Sequence, residues 1–235
     1  MATKKKPATA EAKAGAPLTL DEHPFYGIRL DEEQLKFVNA VWNKDKDIIF
    51  VNANAGSGKT LCATGVANLL VQHGMYDGIV YIMCPYGERK QGWLPGTITE
   101  KSSVYFEGFY QAMMKCDINP NTAINDESMV NQKNGTGYIT CITDTYLRGT
   151  NLENAVVILD EAQNASVEQL KKILTRVNDT SKVIVIGHDK QCDLEHPEQS
   201  GFTAYIEHFR EKERCAVCKL TTNHRGWISQ WADEF

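Results

Sequence analysis

The chain has 235 residues, 42% of them hydrophobic and 23% charged, with a net charge of −5; that length allows one sizeable core. The acidic balance argues against a dedicated non-specific nucleic-acid binder, which is basic overall, while leaving room for a local basic groove. Seven cysteines, an odd number in a chain of this size, read as reduced thiols and not as a disulfide framework; no run nears the roughly 20 apolar residues of a membrane span and no secretory signal is visible, so a cytoplasmic protein with no membrane partner is expected.

Residues 1–19 are mostly Ala, Lys, Thr and Pro and read as a disordered tail, leaving residues 20–235 for a single folded unit. Helical spacing follows over 30–42, with Leu35, Val38 and Val41 on one face. An apolar run at 48–51 enters a Gly-rich turn, and 61–72 reads as a helix. Further strands are expected at 79–84, 138–142, 155–159 and 183–186, with a helix at 167–177. Residues 113–137, rich in Asn, Asp, Gly and Thr, are expected to form an irregular excursion. Continuous apolar strands separated by helices predict an α/β fold with a doubly wound, mainly parallel sheet.

Two motifs carry the chemistry. Asn52-Ala53-Asn54-Ala55-Gly56-Ser57-Gly58-Lys59-Thr60 follows a strand and opens a helix, the context of a Walker A phosphate loop. Ala53 stands where the first glycine of GxxxxGK[ST] falls. Converging backbone N–H groups from Asn54, Ala55, Gly56, Ser57, Gly58 and Leu61 would cradle phosphates at a helix N-terminus. Lys59 would reach the outer phosphates of ATP, and Thr60 would hold Mg²⁺ through its hydroxyl. The second motif, Val156 to Gln163, is an apolar strand running into Asp160 and Glu161. Asp160 would hold Mg²⁺, and Glu161 would orient or deprotonate the attacking water. After the next strand, Gln191 is a candidate γ-phosphate sensor. Arg225, in Asn223-His224-Arg225, is a candidate for stabilising transition-state charge, in its own subunit or across an interface.

This ordered set resembles the PhoH-like family of ATPases, related to superfamily 1 helicases. The residues that carry the resemblance are Walker A, Gly92-Trp93-Leu94-Pro95-Gly96 with Glu100-Lys101, Leu147-Arg148-Gly149-Thr150, Asp160-Glu161-Ala162-Gln163, Leu174-Thr175-Arg176 and Gln191. The likeness covers roughly residues 30–230. Cys84 and His188 depart from the family's usual Arg and Asp, and the Asn223-His224-Arg225-Gly226 ending is similar to that of some phage-encoded members, which would place the protein in a host cytoplasm. The resemblance implies a P-loop NTPase with a RecA-like core, using ATP and Mg²⁺, assembled as a homo-oligomeric ring such as a hexamer, and acting on RNA or single-stranded DNA. It also implies that Gln34 reads the adenine edge, and that Arg225 or Arg148 completes a site. A nucleotide-gated binding module and a P-loop kinase are the alternatives; the Glu161 carboxylate argues against the kinase, which must exclude water.

Two weaker signals remain. Cys215-Ala216-Val217-Cys218 has the spacing of half a zinc site. Tyr81, Trp93, Tyr105, Phe106, Phe109 and Tyr110 alternate with Arg89, Lys90, Lys101 and Lys115, a mixture that suits either core packing or stacking of single-stranded bases.

Overall fold

The structure, a computed structural model, describes residues 16–84, 104–125, 137–144, 147 and 151–233. Its strands are β1 (Ile48–Ala53), β2 (Gly78–Met83), β3 (Ile139–Thr143), β4 (Ala155–Asp160), β5 (Lys182–Gly187) and β6 (Cys215–Leu220). Its α-helices are α1 (Glu32–Trp42), α2 (Lys59–Gln72), α3 (Glu107–Lys115), the single turn α4 (Pro120–Ala123), α5 (Val167–Leu174), α6 (Gly201–Phe209) and α7 (Trp227–Asp233). Among the described residues the strands form one sheet in the order β3-β2-β4-β5-β1-β6, and every pairing is parallel.

The side-chain period of two sorts each strand between two cores. Ile49, Val51, Ile79, Tyr81, Ile158, Ile184 and Ile186 face the core covered by α1, α2 and α3. Ile48, Phe50, Ile82, Val157, Leu159, Val183 and Val185 face the core covered by α5 and α6. Helices therefore clothe both faces, as the unbroken apolar runs require. Helix α2 buries residues all round, Cys62 to Leu70, because it lies between the sheet and its neighbours α1 and α3.

Local signals set the helix limits. Asp31 and Gln34 form a reciprocal capping box at the start of α1, as Ser166 and Gln169 do at α5. The last carbonyls of α1 are closed by a buried cation: Lys182 Nζ donates to the Val41 and Asn43 carbonyls at 2.7 and 2.6 Å. Helix α5 stops at Leu174, short of the expected residue 177, where the Thr175 hydroxyl donates back to the Lys171 carbonyl. The chain is already docked at Pro17, whose carbonyl accepts the Trp42 indole N–H.

Five elements go beyond the sequence reading: α3, α4, α6, α7 and β6, with α4 a single turn inside the expected irregular excursion. The Cys-x₂-Cys segment is the edge strand β6. Cys215 belongs to one core and Cys218 packs against the other, so the two thiols face away from each other and cannot chelate one ion. Tyr81, Phe106 and Phe109 are buried in the core between the sheet and α3, not displayed as a stacking surface. Trp93, Arg89, Lys90, Lys101, the 92–101 signature and Arg148 lie outside the described residues.

Candidate nucleotide site

Strand order builds the site. Strand β5 lies between β1 and β4, so the Gly-rich loop and the acidic pair leave the same sheet edge with one strand between them. Asn52 is level with Gly187, and Leu159 with Val185. The carboxyl ends of parallel strands are where such sheets bind ligands.

The loop after β1 adopts the geometry that phosphate binding needs. Gly56 and Gly58 have left-handed φ of +73° and +78°, which glycine adopts without strain. Neither position has room for a methyl group. A Cβ on Gly56 would lie 2.6 Å from Asn223 Oδ1, and one on Gly58 would lie 2.8 Å from Gln34 Nε2. Gly58 caps α2 without a side-chain hydrogen bond, so the first-turn N–H groups of α2 are available to an anion.

Tertiary hydrogen bonds hold the loop from three sides. Gln34 Nε2 donates to the Ser57 carbonyl at 2.9 Å, while its Oε1 completes the α1 capping box. The Asn54 N–H donates to the Leu220 carbonyl, and the His224 N–H donates to the Gly56 carbonyl. Glu33 gathers the far end of the chain: its carboxylate accepts from the Thr221 N–H at 2.6 Å and the Thr221 hydroxyl at 2.8 Å. Asp31 pairs with His224 Nε2 at 2.8 Å. One turn of α1 thus ties the loop to the segment that carries Arg225. Arg225 is exposed, and its Cγ lies 3.1 Å from the place a Gly56 methyl would occupy. The arginine sits beside its own chain's loop.

On the other side, Asp160 is 2% exposed and well supplied with donors. Its Oδ2 accepts from the Thr60 hydroxyl at 2.9 Å and from the Tyr81 phenol at 2.7 Å, and its Oδ1 accepts from the Glu161 N–H at 2.8 Å. Burial first, then the Glu161 charge, push the Asp160 carboxyl above the usual range; the Lys59 ammonium, the Tyr81 phenol and the Glu161 N–H pull it back. Burial likewise raises Tyr81 well above an ordinary phenol, so its oxygen keeps the proton and donates it.

Glu161 has φ +53° and ψ +39°, a left-handed turn that a non-glycine residue holds only when its surroundings enforce it. The turn swings its side chain out of line with β4. Glu161 Oε1 then pairs with Lys59 Nζ at 3.4 Å, and Oε2 accepts from Gln163 Nε2 at 2.6 Å. Gln163 Oε1 in turn accepts the His188 N–H at the end of β5. Gln191 is exposed in the turn after β5, with its N–H on the His188 carbonyl. Beside Lys59, the side chain hydrogen-bonded to Glu161 is Gln163, which the sequence showed only as the last letter of the acidic box.

A model described as PhoH-like protein matches residues 29–228. The chain belongs to the PhoH-like protein family. It is 33% identical to Protein PhoH of Escherichia coli (strain K12) over 199 residues, covering 81% of this chain and 52% of that protein. It is 31% identical to a PhoH-like protein of Mycobacterium tuberculosis (strain ATCC 25618 / H37Rv) over 191 residues, 80% of this chain and 51% of that one. This PhoH-like chain therefore spans about half the length of the curated relatives it matches. Among solved structures, the large terminase of a thermophilic bacteriophage superposes with a TM-score of 0.51 over 83% of the chain and 46% of its own, at 15% identity. That likeness is one of fold: the α/β P-loop NTPase fold with its parallel sheet.

The residues fit a magnesium nucleotide on their own geometry. The loop has a cradle that side chains would fill. Ser57 Oγ is buried there with no hydrogen-bond partner, as a group waiting for an acceptor or donor would be. The Thr60 hydroxyl spends its proton on Asp160, which leaves its lone pairs for a cation. When bound, the metal would supply Lewis-acid stabilisation of phosphate charge. No helix among the described residues is long and apolar enough to cross a membrane.

Proposed function

We propose that this PhoH-like protein hydrolyses ATP with Mg²⁺ and couples turnover to RNA or single-stranded DNA. The observation that supports hydrolysis is the meeting of the two motifs across β5: Thr60 touches Asp160, and Lys59 touches Glu161. In this reading Ala55 to Leu61 wrap the phosphates, while Asn54, expected to join them, spends its N–H on the Leu220 carbonyl and anchors the loop; Lys59 moves from Glu161 to the β- and γ-phosphates. Thr60 and Asp160 hold the metal. Glu161, steadied by Gln163, takes a proton from the attacking water. Arg225 sits beside the loop of its own chain, which favours action within one subunit. Gln191 is kept as the candidate sensor. Gln34 is engaged at both ends of its amide, which suits a brace under the loop alongside any contact with adenine. Residues 20–235 act as one ATPase unit, and copies assemble head to tail into a ring. The nucleic-acid substrate rests on the family resemblance.

The test is a steady-state ATPase assay with and without single-stranded RNA and DNA, run beside Glu161→Gln. Turnover stimulated by one strand type, and lowered about 100-fold or more in the variant while nucleotide binding persists, is expected of a general base. Parent-rate hydrolysis by the variant removes Glu161 from the chemistry. Tight nucleotide binding without turnover in the parent chain favours a nucleotide-gated binding module.

A further inference from the structure

Tyr81 lies on β2, outside both sequence motifs, yet its phenol donates to Asp160 at 2.7 Å. The ring has no freedom to swing away. It is 1% exposed, stacked on Phe109 at 3.9 Å with planes 13° apart, and met edge-on by Phe106 at 6.0 Å. Helix α3 therefore fixes the direction of the hydroxyl. A carboxylate offers about four acceptor positions. Three of those on Asp160 are filled, by Thr60, Tyr81 and the Glu161 N–H. The remaining one is on Oδ1. Without Tyr81 the carboxylate would be free to turn about its last bond, because Thr60 and one backbone N–H leave two positions open and hold it less firmly.

We infer that Tyr81 is a positioning residue for the metal: with Thr60 it grips one oxygen of Asp160, so the other oxygen is presented in a single orientation to the Mg²⁺ of a bound nucleotide. The inference rests on the proposed magnesium-nucleotide reading and deepens it. It separates two things that Asp160 alone would merge. Phosphate contacts belong to the loop and do not involve Tyr81. The extra affinity that Mg²⁺ gives the nucleotide passes through Asp160 and depends on the Tyr81 phenol.

The experiment is a binding titration of a fluorescent ADP analogue, with Mg²⁺ and with EDTA, on the full chain and on Tyr81→Phe. Phenylalanine keeps the aromatic stack and removes only the oxygen, and a thermal melt checks that the fold is kept. In the parent, Mg²⁺ tightens binding. In Tyr81→Phe, affinity in EDTA stays within twofold of the parent, and the tightening by Mg²⁺ shrinks about tenfold, the effect of one hydrogen bond to a charged group. Asp160→Asn supplies the cycle. If Tyr81 acts through Asp160, adding Tyr81→Phe to Asp160→Asn changes the Mg²⁺ effect no further. Equal weakening with and without Mg²⁺ makes Tyr81 a packing residue and overturns the inference. So does a Tyr81→Phe loss that persists undiminished in the Asp160→Asn background. A parent that binds the nucleotide equally well in EDTA defeats the magnesium reading itself, and the inference falls with it.

Discussion

Replacing Gly56 with alanine is the sharpest test of how the loop is held. The residue has φ +73°, and an alanine forced into the left-handed region costs about 1–2 kcal/mol. The new methyl would also stand 2.6 Å from Asn223 Oδ1. That oxygen accepts the Arg225 N–H at 2.8 Å, and the same amide donates to the Ser229 hydroxyl. Displacing it breaks one such hydrogen bond, about 1 kcal/mol. Together the terms reach roughly 2 to 3 kcal/mol, and each is relieved only by moving the loop or the segment that braces it. We expect nucleotide affinity to fall about 30- to 150-fold, measured by titrating a fluorescent ADP analogue. Asn223→Ala removes the atom the methyl meets but not the backbone strain. In that background Gly56→Ala should cost about 1 kcal/mol less. An alanine variant that binds nucleotide within twofold of the parent, with an unchanged melt, would refute both the strain and the contact.

Two further outcomes follow from the braces. Glu33→Ala removes the acceptor of three hydrogen bonds from Thr221 and Thr222; amide exchange over 221–225 should rise and nucleotide affinity fall by about 1–2 kcal/mol, while exchange in β4 and β5 stays put. Unchanged exchange at 221–225 would show that Glu33 holds nothing. Lys182 is pushed by burial down to about 8 from its ordinary 10.5, so below pH 8 both states carry the charge and the folded one bears its desolvation. Between pH 8 and 10.5 the unfolded chain holds the extra proton and stability rises with pH. Comparing urea denaturation of the parent with Lys182→Met isolates this group from the thiols: the parent should gain about 1 kcal/mol on the variant between pH 7.5 and 9. Parallel curves would exclude it.

What the sequence disclosed depends on how far apart the partners lie. The Gly-rich loop and the acidic strand end are each contiguous, with chemistry tied to residue type, so Lys59, Thr60, Asp160 and Glu161 stood out as candidates, and the structure brings their side chains into contact. The central strands β1, β4 and β5 read clearly because burial on both faces leaves unbroken β-branched runs. Strand β6 did not, because an edge strand alternates in exposure and its Cys-x₂-Cys spelling suggested metal chemistry. Helix α6 was hidden by the polar stretch before it, and α3 by aromatics that suited two readings. Tyr81 looked like any core aromatic on a strand; only the parallel pairing of Met83 with Asp160 shows that β2 runs beside the acidic strand. The Glu33–Thr221 bonds join residues 188 positions apart, a relation no local pattern carries.

That separation also bears on how the protein is made. Translation delivers the phosphate loop well before its supports, Leu220 to Arg225. Until then β1 has no neighbour on one side, and Ile48–Ala53 presents an open row of backbone donors and acceptors, a template for pairing with other chains. A nascent chain lacking β6 would carry every residue of the Gly-rich loop and still lack the bonds from Leu220 and His224 that shape it, so the shape of the loop reports the docking of β6.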